Sequence, residues 1–165
     1  MLVLAPYSGR GSTSQVLLWY SVLNEKTHGY VHAAGFKPII HLMPERSTSV
    51  VLVQTLAEKW WDTTHTFHIS GREMTITPHD FHYMTCLWFK GVPISLEDES
   101  GVRLGVNLLG RRYATKIIHY TDLEVDFMHR PQGMVEECLR MARAYLLFLV
   151  GVYLFANCRK MVSLR

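Results

Sequence analysis

Four of the nine histidines fall into two His-x-x-His pairs, His65 with His68 and His79 with His82, and Cys86 follows four residues beyond the last of them. On a helix His79, His82 and Cys86 share one face, and imidazole and thiolate are the ligands zinc takes in tetrahedral sites. His65 and His68 are worse placed, because residues three apart on a strand point to opposite faces. A ligand set also needs outer partners that fix each ring, and spacing does not supply them. Structural histidines are therefore the plainer reading. The sequence assigns no metal and no cofactor, with His79, His82 and Cys86 as the set a metal ion would use.

A second constellation is basic. Arg103, Arg111, Arg112 and Lys116 lie near Tyr113 and His119, and Arg130, Arg140 and Arg143 make a further zone. Arginine beside an aromatic ring can track phosphates and stack on a base, so the first stretch is the candidate nucleic-acid contact. Charge on a solvated helix face is the bland alternative, since no reading motif accompanies it. The paired Trp60-Trp61 is the candidate interaction contact, because large aromatics dominate binding hot spots. More often such a pair ends a helix with one ring in the core.

Enzyme signatures are not found. The loop Ser8 to Ser14 lies between an apolar run and a helix, as a phosphate cradle does. It lacks both the Gly-Lys-Ser/Thr ending and a third glycine, so it reads as an ordinary loop. None of the lysines stands in the setting a pyridoxal phosphate enzyme needs. No catalytic residue is nominated, and a metal-dependent enzyme using the His79 set remains the alternative.

These groups sit on a chain of 165 residues, 48% hydrophobic and 19% charged, enough apolar matter for one domain with a real core. A net charge of +3 and a pI near 8.8 permit nucleic-acid binding without imposing it. Cys86, Cys138 and Cys158 are odd in number and set among apolar neighbours, which fits reduced intracellular thiols better than a disulfide framework. The start lacks a secretory signal pattern. Ala144 to Ala156 carries no charge, but spanning a bilayer takes ~20 residues, so no membrane span is expected and a buried core helix is.

The elements that position these residues can be read locally. Helices are predicted over Gln15 to Leu23, over Tyr30 to Ala34 and Lys37 to Leu42 after a break at Asn24 to Gly29, and from Val50 through Trp61 on a three- and four-residue apolar period. Thr64 to Thr77 then alternates about Ser70-Gly71, a loop that supplies the positive φ of a tight hairpin. Phe67, Met74 and Ile76 are its expected core face. Thr77, Pro78 and Asp80 form a helix start with cap, first-position proline and capping-box acid, and the helix runs to Leu87. Lys90 to Gly101 reads as an acidic loop, and Val102 to Leu109 as a helix. Thr115 to Phe127 also reads as a helix, although β-branched Ile117, Ile118 and Thr121 equally suit a strand. Gly133 to Phe155 is expected as one long apolar helix, with Gly151 marking a close approach. The fold class is mainly α (α+β), a helical domain with one β-hairpin near residues 64–77 and that long C-terminal helix.

The run Thr64 to Thr77, following paired aromatics, resembles the plant mobile domain, also called the aminotransferase-like plant mobile domain, almost residue for residue. Ala34-Gly35-Phe36, Gly91-Val92-Pro93-Ile94, the stretch Ala142 to Gly151 and Leu154-Phe155 are similar too. Ser70-Gly71-Arg72 and Pro78 depart from the usual pattern. The resemblance implies a domain longer than this chain, so residues 1–165 read as a single, incomplete copy whose long helix has lost part of its cover and exposes apolar surface. It implies a noncatalytic nuclear interaction module of a family shared with transposable elements. Host members are associated with meristem maintenance, transposon silencing and control of gene expression. The implied partner is a protein, a long-form Ser/Thr phosphatase homologue among the candidates, with a nucleic-acid-binding protein of transposon origin as the alternative.

Overall fold

The computed structural model describes residues 13–43, 49–88, 101–113, 117–154 and 161–163. It is mainly helical with small antiparallel sheets. Three short helices open it, α1 (Thr13–Ser21), α2 (Glu25–Ala33) and α3 (Lys37–His41). Asn24 does not break the chain for long. Its Oδ1 accepts the Thr27 N–H at 2.8 Å and caps α2 at once, so the interruption expected through Gly29 is confined to the turn before Asn24. Of the Ser8 to Ser14 loop only Thr13 and Ser14 are described, and they open α1; the acidic loop from Lys90 lies outside the described residues up to Gly101, which opens a later helix.

Helix α8 (Val135–Leu149) is the centre of packing and touches α1, α2, α6 (Gly101–Leu109) and α7 (Tyr120–Phe127). Its start is fixed by Glu137, whose carboxylate accepts the Gly133 and Met134 N–H groups at 2.9 Å each. Its buried stripe, Met141, Ala142, Tyr145, Phe148 and Leu149, recurs at three- and four-residue steps. Trp19 of α1 meets that stripe edge-on at Tyr145, ring centroids 5.9 Å apart, and at Phe148, 4.9 Å away. Burial also drives the acidity of the Tyr145 hydroxyl well below that of a free phenol.

Two features of this region differ from expectation. The α-helix ends at Leu149, after which the chain widens into a π-helical turn, Val150–Leu154, and Phe155 lies outside the described residues. It is not apolar all round either, because Glu136, Arg140 and Arg143 line its outer face. Residues 144–154 nevertheless include none that is exposed, so the apolar surface expected on this helix is limited, among the described residues, to Val135 at its start. Among the described residues no helix is long and apolar enough to cross a membrane. Gly151 is the close approach its sequence position implied: a Cβ there would lie 2.3 Å from the Tyr120 ring.

The segment before α7 resolves an ambiguity. Ile117–His119 forms a strand, β4, paired antiparallel with β5 (Met161–Ser163), and helix α7 starts only at Tyr120. The expected helix from Thr115 is thus shortened by a pairing partner more than forty residues away. β-branched residues accept the strand readily. Ile118 in β4 is fully buried.

A separate unit occupies residues 50–85. Helix α4 (Val50–Glu58) leads to strand β1 (Trp60–Trp61), then β2 (Thr66–Ile69), β3 (Arg72–Met74) and helix α5 (Pro78–Thr85). The expected helix through Trp61 stops at Glu58, because the Lys59 carbonyl accepts the His68 N–H at 2.7 Å and draws the tryptophans into the sheet. The hairpin itself is as the sequence implies. Ser70 (φ 51°) and Gly71 (φ 73°) both take the positive φ of a type I′ turn, and Phe67 faces Met74, His68 faces Glu73 and Ile69 faces Arg72.

Helix α5 carries the expected cap. Thr77 Oγ1 accepts the Asp80 N–H at 3.2 Å, and the Asp80 carboxylate accepts the Thr77 N–H at 2.9 Å. A further hydrogen bond from the Thr77 hydroxyl contributes most to holding the Asp80 carboxyl below its usual range. A carboxyl whose pKa is lowered by folding adds stability above its unfolded value of about 4 and loses it as pH falls through the folded value. The first turn of α5 is therefore expected to loosen as pH drops below about 4 in the wild type, whereas Asp80→Asn shows a flat profile. Amide exchange of residues 79–82 measured against pH reads both.

Candidate interaction surface

The hairpin unit stands apart from the helical core. Among the described side chains of residues 49 and 51–88 none is buried, and Leu87 packs against the core. Phe67 is only half-buried, while Met74 and Ile76 are 55% and 56% exposed. The expectation that these three form core is thereby corrected: they line a core-type face left partly or largely exposed among the described residues. Every described side chain of α4 except Val53 is exposed, Leu52 and Leu56 included.

Aromatic rings organise both faces of the sheet. Trp60 packs edge-on against Phe67 at 4.9 Å, on the face that carries Met74. Trp61 stacks on His68 at 4.5 Å with planes 16° apart, on the opposite face. Neither tryptophan reaches the core, so a helix-ending role is replaced by a sheet role: Trp60 is 37% and Trp61 54% exposed. Phe81, Tyr83 and Met84 on α5 and Trp88 beyond it are exposed as well. Exposed aromatic and apolar side chains grouped in one unit, rather than scattered singly, are characteristic of a binding face. In the sequence Trp60 and Trp61 stand out and the rest do not, because apolar alternation looks the same whether a neighbour covers it or not.

The histidine set is not gathered. Helix α5 ends at Thr85, and Cys86 turns into the left-handed region (φ 57°), its N–H bonding the His82 carbonyl at 2.7 Å. That turn takes the thiol off the face that His79 and His82 would share. His82 donates from Nδ1 to the Leu87 carbonyl at 2.8 Å and lies against Trp88. Among the described residues no group of three His, Cys, Asp or Glu side chains is placed to hold a metal ion. His65 and His68 are divided between Trp60 and Trp61.

Four of the described arginines have partners within the chain, although their side chains remain exposed. Arg111 pairs with Asp126 at 2.7 Å. Arg130 bonds the Asp126 carbonyl and lies over the Phe127 ring, Arg140 pairs with Glu136 at 3.0 Å, and Arg143 donates to the Leu108 carbonyl near the end of α6. Arg103 lies in α6, and Lys116 falls outside the described residues. Arg112 is exposed and beside an open recess of about 490 Å³ lined also by Tyr113, Asp122 and Asp126. Burial foremost, with the Asp126 charge next, pushes the Tyr113 hydroxyl up to about 12. Two carboxylates facing two guanidinium groups make this recess electrically mixed, a poor bed for a run of phosphates.

The sequence model of the plant mobile domain matches residues 40–165. This chain belongs to the plant mobile domain family. Within the family it is similar to the Arabidopsis thaliana protein MAIN-LIKE 2, 31% identical over 82% of this chain and 21% of that protein. It is also similar to MAINTENANCE OF MERISTEMS of the same plant, 29% identical over 86% of this chain and 31% of that protein. A third relative, the Arabidopsis thaliana serine/threonine-protein phosphatase 7 long form homolog, is 28% identical over 64% of this chain and 8% of its own length. The chain thus spans less than a third of the length of these curated relatives. No solved structure matches it.

Proposed function

We propose that this plant mobile domain chain is a noncatalytic interaction module that works in the nucleus, in the setting of meristem maintenance, transposon silencing and gene-expression control. The observation that carries this reading is the uncovered aromatic face of the hairpin unit, with Trp60, Trp61, Met74 and Ile76 at its centre. Large aromatics held rigidly by a short sheet supply contact area at low entropic cost, which is what hot spots need. Their placement away from the core leaves them available to a partner. The relatives named for meristem maintenance support the setting, and a long-form Ser/Thr phosphatase homologue is the proposed protein partner, one relative of that name being similar to this chain.

The test is binding of the purified 165-residue chain to a purified long-form phosphatase homologue by calorimetry, beside the double variant Trp60→Ala, Trp61→Ala. Loss of both rings is expected to weaken binding at least a hundredfold, at about 2 kcal/mol or more for each hot-spot residue. The contrary result is unchanged affinity in the double variant. A steep fall of binding to duplex DNA with salt, flattened by Arg111→Ala and Arg112→Ala, would instead favour the nucleic-acid reading.

A further inference from the structure

The hairpin sheet has order β1-β2-β3, so β3 is an edge. In a two-residue type I′ hairpin the pair that closes the turn, here Ile69 with Arg72, exchanges backbone hydrogen bonds, and the pairs behind it alternate. His68 with Glu73 is then the non-bonded pair and Phe67 with Met74 a bonded one. His68 fits this phase, since its N–H turns away from β3 to the Lys59 carbonyl at 2.7 Å. By the same alternation the backbone N–H and C=O of Glu73 point outward from the sheet, and among the described residues nothing pairs with them.

The side chains along this edge define what can dock. All three residues of β3 are exposed. Arg72 and Met74 lie on the face of Trp60 and Phe67, and Glu73 lies on the face of His68, whose Nε2 is 3.6 Å from the Glu73 carboxylate. A strand added antiparallel outside β3 sets its residues directly opposite these three, where opposite charges attract and like charges repel. We propose that the outer edge of β3 accepts an extended peptide of another protein whose sequence runs apolar, basic, acidic, placing these residues opposite Met74, Glu73 and Arg72. This site rests on the reading of the chain as an interaction module and gives that module a partner of defined chemistry.

Charge selects this occupant over a second copy of the same chain. Pairing two copies about a two-fold axis sets Glu73 opposite the second copy's own Glu73. Shifted by one position, it leaves Arg72 facing Ile76 and Glu73 facing Thr75, with neither charge matched. A heterologous strand with the alternating pattern matches both. Charged edge residues also repel unmatched strands, so the device that guards the edge confers its selectivity.

The experiment uses the 165-residue chain and two fluorescein-labelled eight-residue peptides, one centred on Ile-Lys-Glu and one on Ile-Glu-Lys, flanked by threonine and valine. Anisotropy titration is expected to favour Ile-Lys-Glu about tenfold, the combined effect of two attractive pairs becoming repulsive. In the variant Arg72→Glu, Glu73→Arg, with its fold checked by circular dichroism, the preference is expected to invert. Hydrogen exchange at the Glu73 amide is expected to slow when the matched peptide is bound. Equal binding of both peptides, or a Glu73 amide that stays unprotected, overturns the proposal. So does self-association of the free chain that protects the same amide, which assigns the edge to a second copy. Failure of both peptides while the phosphatase homologue still binds through Trp60 and Trp61 overturns the edge site and leaves the interaction module standing.

Discussion

Replacing Gly151 with alanine is expected to destabilise the protein by about 2 kcal/mol or more, although alanine is the better helix former by ~1 kcal/mol. The added methyl would sit 2.3 Å from Cε1, 2.4 Å from the hydroxyl and 2.5 Å from Cζ of Tyr120. Those atoms belong to a rigid ring, 6% exposed and braced against Phe148 at 6.1 Å. Relief therefore means moving α7 away from α8 rather than swinging a flexible side chain, and overpacking of this kind exceeds the propensity gain. A fall in thermal midpoint of about 4–8 °C reads the effect in a domain of this size. The decisive control is Tyr120→Ala, which removes the ring. In that background Gly151→Ala is expected to cost nothing, and full additivity of the two changes refutes the contact.

The second large effect is expected at Gln132. Its Oε1 accepts the Asn24 N–H at 2.9 Å and the Thr27 hydroxyl at 2.8 Å, and its Nε2 donates to the Val22 carbonyl at 3.1 Å. Its own carbonyl takes Asn24 Nδ2 at 2.6 Å and the Cys138 thiol at 3.3 Å. Thr27 is completely buried. Gln132→Ala thus strands a buried hydroxyl and a cap N–H together, at about 1–3 kcal/mol for each group left without a partner. We expect a loss of about 3 kcal/mol by denaturant titration. Asn24→Ala removes the α2 cap and the same clamp, so the double variant should fall short of the sum of the singles. Strict additivity would show that the two residues act separately.

What could be read in the sequence was whatever the chain decides within a few residues. Ser70-Gly71 can hold two positive φ values, and Thr77-Pro78-His79-Asp80 carries its own cap, so hairpin and helix start were legible. Gly151 was legible too, as a glycine inside an apolar helix. Trp60 and Trp61 misled because they extend the apolar period of α4, while a single backbone bond from His68 to Lys59 decides for the sheet. Ile117 and Ile118 suited either element until Val162 and Ser163 supplied a partner. The Gln132 clamp had no local signal, its partners lying over a hundred residues away. At the candidate site the aromatic pair was visible as residues. Its exposure was not, since that depends on what fails to pack against it.

The resemblance to the family was legible in the hairpin run, and the family's sequence model matches residues 40–165. The histidine set near α5 lost its geometry to one left-handed residue, Cys86, a turn that side-chain spacing does not announce.

The distance between Asn24 and Gln132, 108 positions along the chain, also sets an order of events during synthesis. At about 5–20 residues per second, α1 and α2 leave the ribosome roughly 5–20 s before the segment that clamps them. Throughout that interval Trp19 and Val31 have no α8 to lie against. The hairpin needs only its immediate neighbours and can close within microseconds, so the aromatic surface can form while α1 and α2 still wait for the segment that clamps them.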